Sequence, residues 1–321
     1  NLYLRWTVRF IFKLLLIFFL FFGTKLNSQL SKIHYIPPLT TSSSGNPVVG
    51  PQYFYISTPS QSAVNYKIIA ADGSTWNQGV VSNASPVITA ANSDGNNYEN
   101  LFISDLDYEK IIKKGFIVEA ESEIYVSLRF EATSTYHAGA IVSKGESALG
   151  KRFYVGALRN TASYMTQFAS VMATEDLTKV TFKLKNNVST VNGQSGEFEV
   201  VLNSGDSYLI ASRSGSGIGS STEDGLIGTL IESDKSIAVN TGSGTGSNAL
   251  NNGGHDYGMD QIVGAELVGS EYIFIKGDGE ADWEKALVIA NQDNTQIQVN
   301  GTNYGTPIQA GEFLFISEYT S

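Results

Sequence analysis

His255, Asp256 and Asp260 stand close together in the run Asn251-Asn-Gly-Gly-His255-Asp256-Tyr257-Gly-Met-Asp260-Gln261, the most distinctive polar cluster of the 321-residue chain. An imidazole beside two carboxylates has the donors to ligate a cation, and Tyr257 and Gln261 add an aromatic face and an amide for ligand contact. No pair of histidines at metal-ligand spacing supports the metal. A buried hydrogen-bond cluster that pins a long loop to its sheet is the commoner use of such a set, with ligand contact second. Tyr136 and His137 occupy the matching loop of the preceding unit, so both polar loops are expected on one rim, where loops meet partners. The plainer alternative is that they cap strands.

Other chemistry is weaker. Gly145-Glu-Ser-Ala-Leu-Gly150-Lys151 has the spacing of a phosphate-binding loop, but Arg152 stands where a Mg²⁺-binding hydroxyl belongs and a β-type run follows instead of a helix. The glycine-rich runs 215–219 and 242–246 lack the dinucleotide spacing and read as loops. His34, His137 and His255 have no evident serine and carboxylate companions for a catalytic triad. Asp94-Gly-Asn-Asn97 and Glu223-Asp224-Gly225 are oxygen-rich turns that could hold Ca²⁺, yet neither has the full ligand spacing, and solvated turns are expected. No cofactor is called for. A glycan-active enzyme would need two carboxylates about 5 to 10 Å apart across a cleft, and Glu119, Glu121, Asp256 and Asp260 are the candidates.

The elements that position these residues read as short strands. Val171-Met-Ala-Thr-Glu-Asp-Leu-Thr-Lys-Val180 aligns without gaps on Val288-Ile-Ala-Asn-Gln-Asp-Asn-Thr-Gln-Ile297, with a fainter copy from Tyr55 to Val64. A second motif, Gly115-Phe-Ile-Val-Glu-Ala-Glu-Ser-Glu-Ile124-Tyr-Val, matches Gly228-Thr-Leu-Ile-Glu-Ser-Asp-Lys-Ser-Ile237-Ala-Val. The anchors Val64, Ile124, Val180, Ile237 and Ile297 follow one another at spacings of 60, 56, 57 and 60 residues. Gly79, Gly150, Gly205, Gly269 and Gly311 each open an apolar or aromatic run, the pattern of a strand after a turn. An all-β chain of units of about 58 residues follows, read first as β-propeller-like blades, because radial stacking buries both faces of a small sheet. Tandem β-sandwiches are the alternative, since a pair of units has the size of one sandwich domain. Asp105 to Lys114 is the one helix-like stretch, with a segment that feeds a strand as the equal alternative.

Residues 1–28 read as a signal peptide: Arg5, Arg9 and Lys13 precede an apolar run from Leu14 to Phe22, and Ser28 precedes Gln29. Its removal leaves 17 basic against 31 acidic residues, a net charge of −14. Such a balance disfavours nucleic acid and anionic membranes as partners. Residues 29–50 are expected as an extended N-terminal segment and 51–321 as the all-β repeat domain. With no cysteine, an exported chain of this size must be held by its core. The first residue is not Met and the last residues stop within a repeat, so the chain is expected to be part of a longer polypeptide, cut at its C-terminal end.

The start Ser31-Lys-Ile-His-Tyr-Ile-Pro-Pro-Leu, with Gln52-Tyr-Phe-Tyr-Ile-Ser-Thr-Pro, is similar to the opening of large surface proteins of gliding and related Bacteroidetes. The succession Ala173-Thr-Glu-Asp-Leu-Thr-Lys-Val, Leu202-Asn-Ser-Gly-Asp-Ser-Tyr, Gly228 to Val239, and Asp256-Tyr-Gly-Met-Asp-Gln resembles the N-terminal domain of IgGFc-binding proteins. The resemblance covers most of the chain after residue 28. It implies an extracellular adhesion or matrix-binding module, in bacterial relatives part of a long protein exported by type IX secretion, and it brings no catalytic residues.

The sequence therefore predicts a cell-surface binding or adhesion module, without catalysis, that presents Tyr136, His137, His255, Asp256, Tyr257, Asp260 and Gln261 to an extracellular glycan, mucin or protein. A structural spacer in a long surface filament is the rival reading, and an extracellular glycan-active enzyme the third.

Overall fold

A computed structural model of the chain describes residues 29–41, 49–94, 96–133, 137–214, 220–221, 223–247, 255–275, 277 and 284–316. The expected signal peptide, Tyr136 and the Asn251–Gly254 half of the polar loop lie outside the described residues. The rest is all-β. Among the described residues, no helix is long and apolar enough to cross a membrane.

The first domain contains β1 (Ser31–Ile36), β2 (Leu39–Thr40), β3 (Val49–Ser57), β4 (Val64–Ala70), β5 (Thr75–Val81), β6 (Val87–Ala90), β7 (Phe102–Ile103), β8 (Phe116–Ala132) and β9 (Ala138–Val142). The 17-residue β8 organises it. Its first half pairs β1 and β4, and its second half pairs β3 and β9, all antiparallel. With β5 on β4 and β6 on β3, one bent strand joins two four-stranded layers that face each other around a core of Phe54, Ile68, Phe116, Val118, Val126 and Leu128. The bend is written in the sequence of β8. Phe116 and Val118 point inward, Glu119 to Glu123 are polar or small and largely exposed, and inward alternation resumes at Ile124.

The second domain repeats this plan with β10 (Gly150–Tyr154), β11 (Thr166–Ala173), β12 (Thr178–Lys183), β13 (Glu197–Leu202), β14 (Ser207–Ser214), β15 (Ser220–Ser221), β16 (Leu230–Gly246) and β17 (Asp256–Ile262). The bent strand β16 pairs β10 and β12 through its first half and β11 and β17 through its second. The register repeats as well. Ser31 faces Ile124 and Ile33 faces Glu119, while Gly150 faces Ile237 and Arg152 faces Glu232. In both domains the short strand advances two residues while the long one advances five, a bulge that increases local twist and turns the strand from one layer into the other.

A third unit begins with β18 (Ala286–Ile289), β19 (Thr295–Val299), β20 (Thr302–Ile308) and β21 (Phe313–Ile316), as two separate antiparallel pairs, β18 with β21 and β19 with β20.

One expectation is corrected. The strands are not grouped as one blade per 58 residues: the alternating motifs are unlike elements of a single domain, one opening the bent strand and the other forming β11–β12. The pair of motifs is the repeat, the size expected of the sandwich alternative. Within residues 29–41, β1 pairs with β8 of the first domain, with His34 and Ile36 completely buried. Asp105 to Lys114 holds a single 3-10 turn, Asp105–Asp107, and then feeds an isolated bridge from Ile112 to Ser207.

The two domains share a joint. Phe168, Leu209, Ala211 and Tyr257 of the second belong to the apolar core of the first. The backbone of Ile112 exchanges two hydrogen bonds with Ser207, and Glu109 N–H donates to Leu209. Tyr108, fully buried, meets the Thr40 hydroxyl at 2.5 Å, and Arg213 closes the margin with Asp105 at 2.6 Å. At Gly244 the strand β16 passes so near Thr41 that a Cβ would lie 2.4 Å from its carbonyl carbon.

Candidate functional site

His137, just before β9, and His255, just before β17, occupy equivalent places in the two domains, and the contact of β9 with β17 across the joint brings them together. The Asp256 carboxylate accepts the backbone N–H of Ala138 at 3.1 Å, which ties β17 to the start of β9. His137 packs its ring edge-on to Tyr257 at 5.9 Å between centroids, and Tyr164 does the same to His255, with its hydroxyl 2.9 Å from His255 Nδ1. Burial, with the neighbouring His137 imidazole as the smaller cause, holds the His255 imidazole below its ordinary range. Nε2 of His255 is buried without a hydrogen-bond partner among the described residues.

The expected site residues thus separate into two groups. His137, His255 and Asp256 lie on a shared rim, the first two half-buried and Asp256 exposed. Tyr257 faces inward at 7% exposure, against Phe130 and Phe102, and burial pushes its hydroxyl above the ordinary tyrosine range. Gln261 is completely buried. Its Oε1 accepts Lys144 N–H at 2.7 Å, and its Nε2 donates to Tyr35 O at 2.8 Å and Asn240 Oδ1 at 3.3 Å. Asp260 is held by Lys144 at 2.8 Å. Gln261 and Asp260 are therefore structural ties between domains, and the loop-pinning hydrogen-bond network is what the second half of the polar motif builds.

Tyr164 is the rim residue that sequence reasoning missed. It sits in the irregular stretch between β10 and β11, where no periodicity marks it, and only its approach to His255 reveals it.

His34, in β1, is completely buried near the end of β9 that is remote from His137. Its Nε2 is 3.2 Å from both Ser31 O and Ile124 O, so it carries the hydrogen of the neutral ring, and Nδ1 accepts from the Ser143 hydroxyl at 3.0 Å. Loss of hydration lowers its pKa to about 4, outweighing the two backbone carbonyls that favour the charged form.

The remaining candidates are placed elsewhere. Glu223 and Asp224 both meet the Arg159 guanidinium, at 3.0 and 2.8 Å, so each carboxylate already has a cationic partner and one of the two charges is offset. Glu121 accepts from Asn65 on an exposed face. Gly145 to Ala148 form a 3-10 turn before β10, and Lys151 donates to Asp234 O. No group of three or more metal-ligating side chains occurs among the described residues. A shallow groove of ≈ 670 Å³ is lined by Gln29, Leu30, Ser57, Thr58, Pro59 and Tyr125, with no rim residue and no charged side chain.

The model of a known family, described as IgGFc binding protein, matches residues 138–320, which is 183 of the 321 residues. The chain belongs to the IgGFc binding protein family. The family is one of binding domains. Its match begins at β9, runs through the whole second domain and takes in the third unit, so His255 and Asp256 lie within it and His137 stands at its edge. No curated protein and no solved structure gives a match to the chain.

Proposed function

We propose that this IgGFc-binding family chain is an exported surface module that binds an extracellular glycan, mucin or protein at the rim formed by His137, Tyr164, His255 and Asp256. The observation that carries the reading is the convergence of two equivalent loops from successive domains on one histidine- and tyrosine-bearing rim. Tyrosine and histidine rings offer flat contact area at low entropic cost, and the exposed Asp256 adds a hydrogen-bond acceptor. The acidic surface disfavours nucleic acid and anionic lipid as partners.

The test is a binding screen of the purified protein against arrayed glycans, mucins and immunoglobulin. Saturable, selective binding that Tyr164→Phe and His255→Ala weaken supports the rim. Binding that neither variant changes moves the contact to another face.

The spacer reading is favoured by a different observation, the packed and hydrogen-bonded joint between domains. A well-folded preparation that binds nothing in the screen, and whose solution scattering gives a stiff rod, would establish it.

A further inference from the structure

The third unit is laid down as a true repeat of the first two. Gly145 approaches Ser31 so closely that a Cβ would lie 2.3 Å from the serine Cβ, and at the next junction a Cβ on Gly150, the counterpart of Ser31, would lie 2.9 Å from Gly264, the counterpart of Gly145. The turn into each closing strand also recurs. Gly205 N–H donates to Ala173 O at 2.9 Å, and Gly311 N–H to Ala290 O at 2.8 Å. The 3-10 turn Gly145–Ala148, followed by Leu149 and Gly150, matches Ala265–Leu267, followed by Val268 and Gly269.

This correspondence puts Tyr272 where the second domain has Phe153 and the first has His34, and Phe274 where they have Val155 and Ile36. All four counterparts are completely buried beneath the bent strand. Tyr272 is 60% and Phe274 54% exposed, with Ile273 and Ile275 at 88% and 92%. The same difference marks the hairpins. β11–β14 and β12–β13 are joined into one sheet through β16, whereas β18–β21 and β19–β20 remain separate two-stranded pairs. Two-stranded sheets are marginal in water. A single strand would fill three open edges at once.

We infer that the face formed by Tyr272–Ile275, β18 and β19 is a strand-accepting surface. Its occupant is a bent strand of the β8 and β16 type contributed by the same polypeptide. The first half of that strand runs antiparallel to Tyr272–Ile275 and β19, and the second half runs antiparallel to β18. Its inward positions are apolar, as Val118, Ile124 and Val126 are in β8 and Ile231, Ile237 and Val239 are in β16. Its bend carries acidic and small residues, as Glu119 to Glu123 do. Main-chain pairing supplies the affinity and the inward side chains supply the register.

The experiment appends a copy of Ser220–Gly246 after Ser321, which preserves the fifteen-residue spacing between β14 and β16. A control carries Asp at the copies of Ile231, Ile237 and Val239. Amide hydrogen exchange of residues 272–275 is read at several protein concentrations. The expected result is exchange at least tenfold slower in the appended chain than in the original or in the Asp control, independent of concentration. Equal exchange in all three chains overturns the inference. So does protection in the original chain that grows with concentration, because a second copy would then be the occupant.

Discussion

Gln261, in the last strand of the second domain, accepts the backbone N–H of Lys144 from the first domain at 2.7 Å. The same buried amide donates to Tyr35 O at 2.8 Å. One completely buried side chain thus satisfies a main-chain donor and a main-chain acceptor across the joint. Gln261→Leu strands both, at a cost of about 1–3 kcal/mol for each buried polar group left unpaired. Urea unfolding of the variant should show that loss at pH 7, and a stability equal to the parent would mean the joint is hydrated.

His34 makes stability depend on pH. Its folded pKa of about 4 lies below the value of about 6.5 for an unfolded histidine, so between these values the unfolded chain binds more protons. The neutral ring's contribution is fully present above pH 6.5 and declines as pH falls towards 4. A shift of this size is worth about 3 kcal/mol. The parent should lose that much more stability than His34→Gln between pH 7 and pH 4, measured by denaturant titration, and parallel profiles would contradict it.

Gly244 lies against the backbone of Thr41, with no flexible side chain to give way. Gly244→Ala must push β16 away from the first domain, and overpacking of this kind costs about 1–3 kcal/mol. Calorimetry should show a lower Tm or a separate transition for each domain. An unchanged single transition would show that the joint yields freely.

At the rim, Tyr164→Phe deletes only the hydroxyl that meets His255 Nδ1. Where the proposed rim binds, the loss of one hydrogen bond should weaken affinity by about 3- to 10-fold and leave Tm almost unchanged. A large fall in Tm with unaltered affinity would make the contact structural.

Arg159 already occupies the space between Glu223 and Asp224 and offsets one of their two charges. Millimolar Ca²⁺ should therefore raise Tm by less than about 1 °C, because only a ligand that binds the folded form shifts the midpoint. A saturable rise would place a cation in that turn.

The strand content, the internal repeat and the two bent-strand motifs were legible in the sequence, because alternation, glycine turns and the polar interruption from Glu119 to Glu123 are local properties. The match of Val171 on Val288 corresponds to equivalent hydrogen bonds at Ala173 and Ala290. The faint copy slipped. Ile56, not Tyr55, stands opposite Val126 as Val171 stands opposite Val239, and Tyr66, not Val64, takes the place of Val180. The slip is one residue at the first position, which exchanges the buried and outward faces of the strand, and two at the second, which keeps the face, and a degenerate apolar pattern hides both. Near-equal spacing of two unlike elements also imitated a blade of half the true size.

The sequence by itself determined an all-β chain of repeating units with a histidine and acid cluster near residue 255, since these follow from residue types over a few positions. Only the tertiary structure decided that β8 and β16 each serve two layers, that Gln261 and Asp260 brace the joint while His255 and Asp256 remain at the rim, and that Tyr164 joins them. Those outcomes depend on pairings between residues about a hundred positions apart. Their partners are selected by packing and hydrogen-bond satisfaction across the whole domain, and no local pattern encodes that selection.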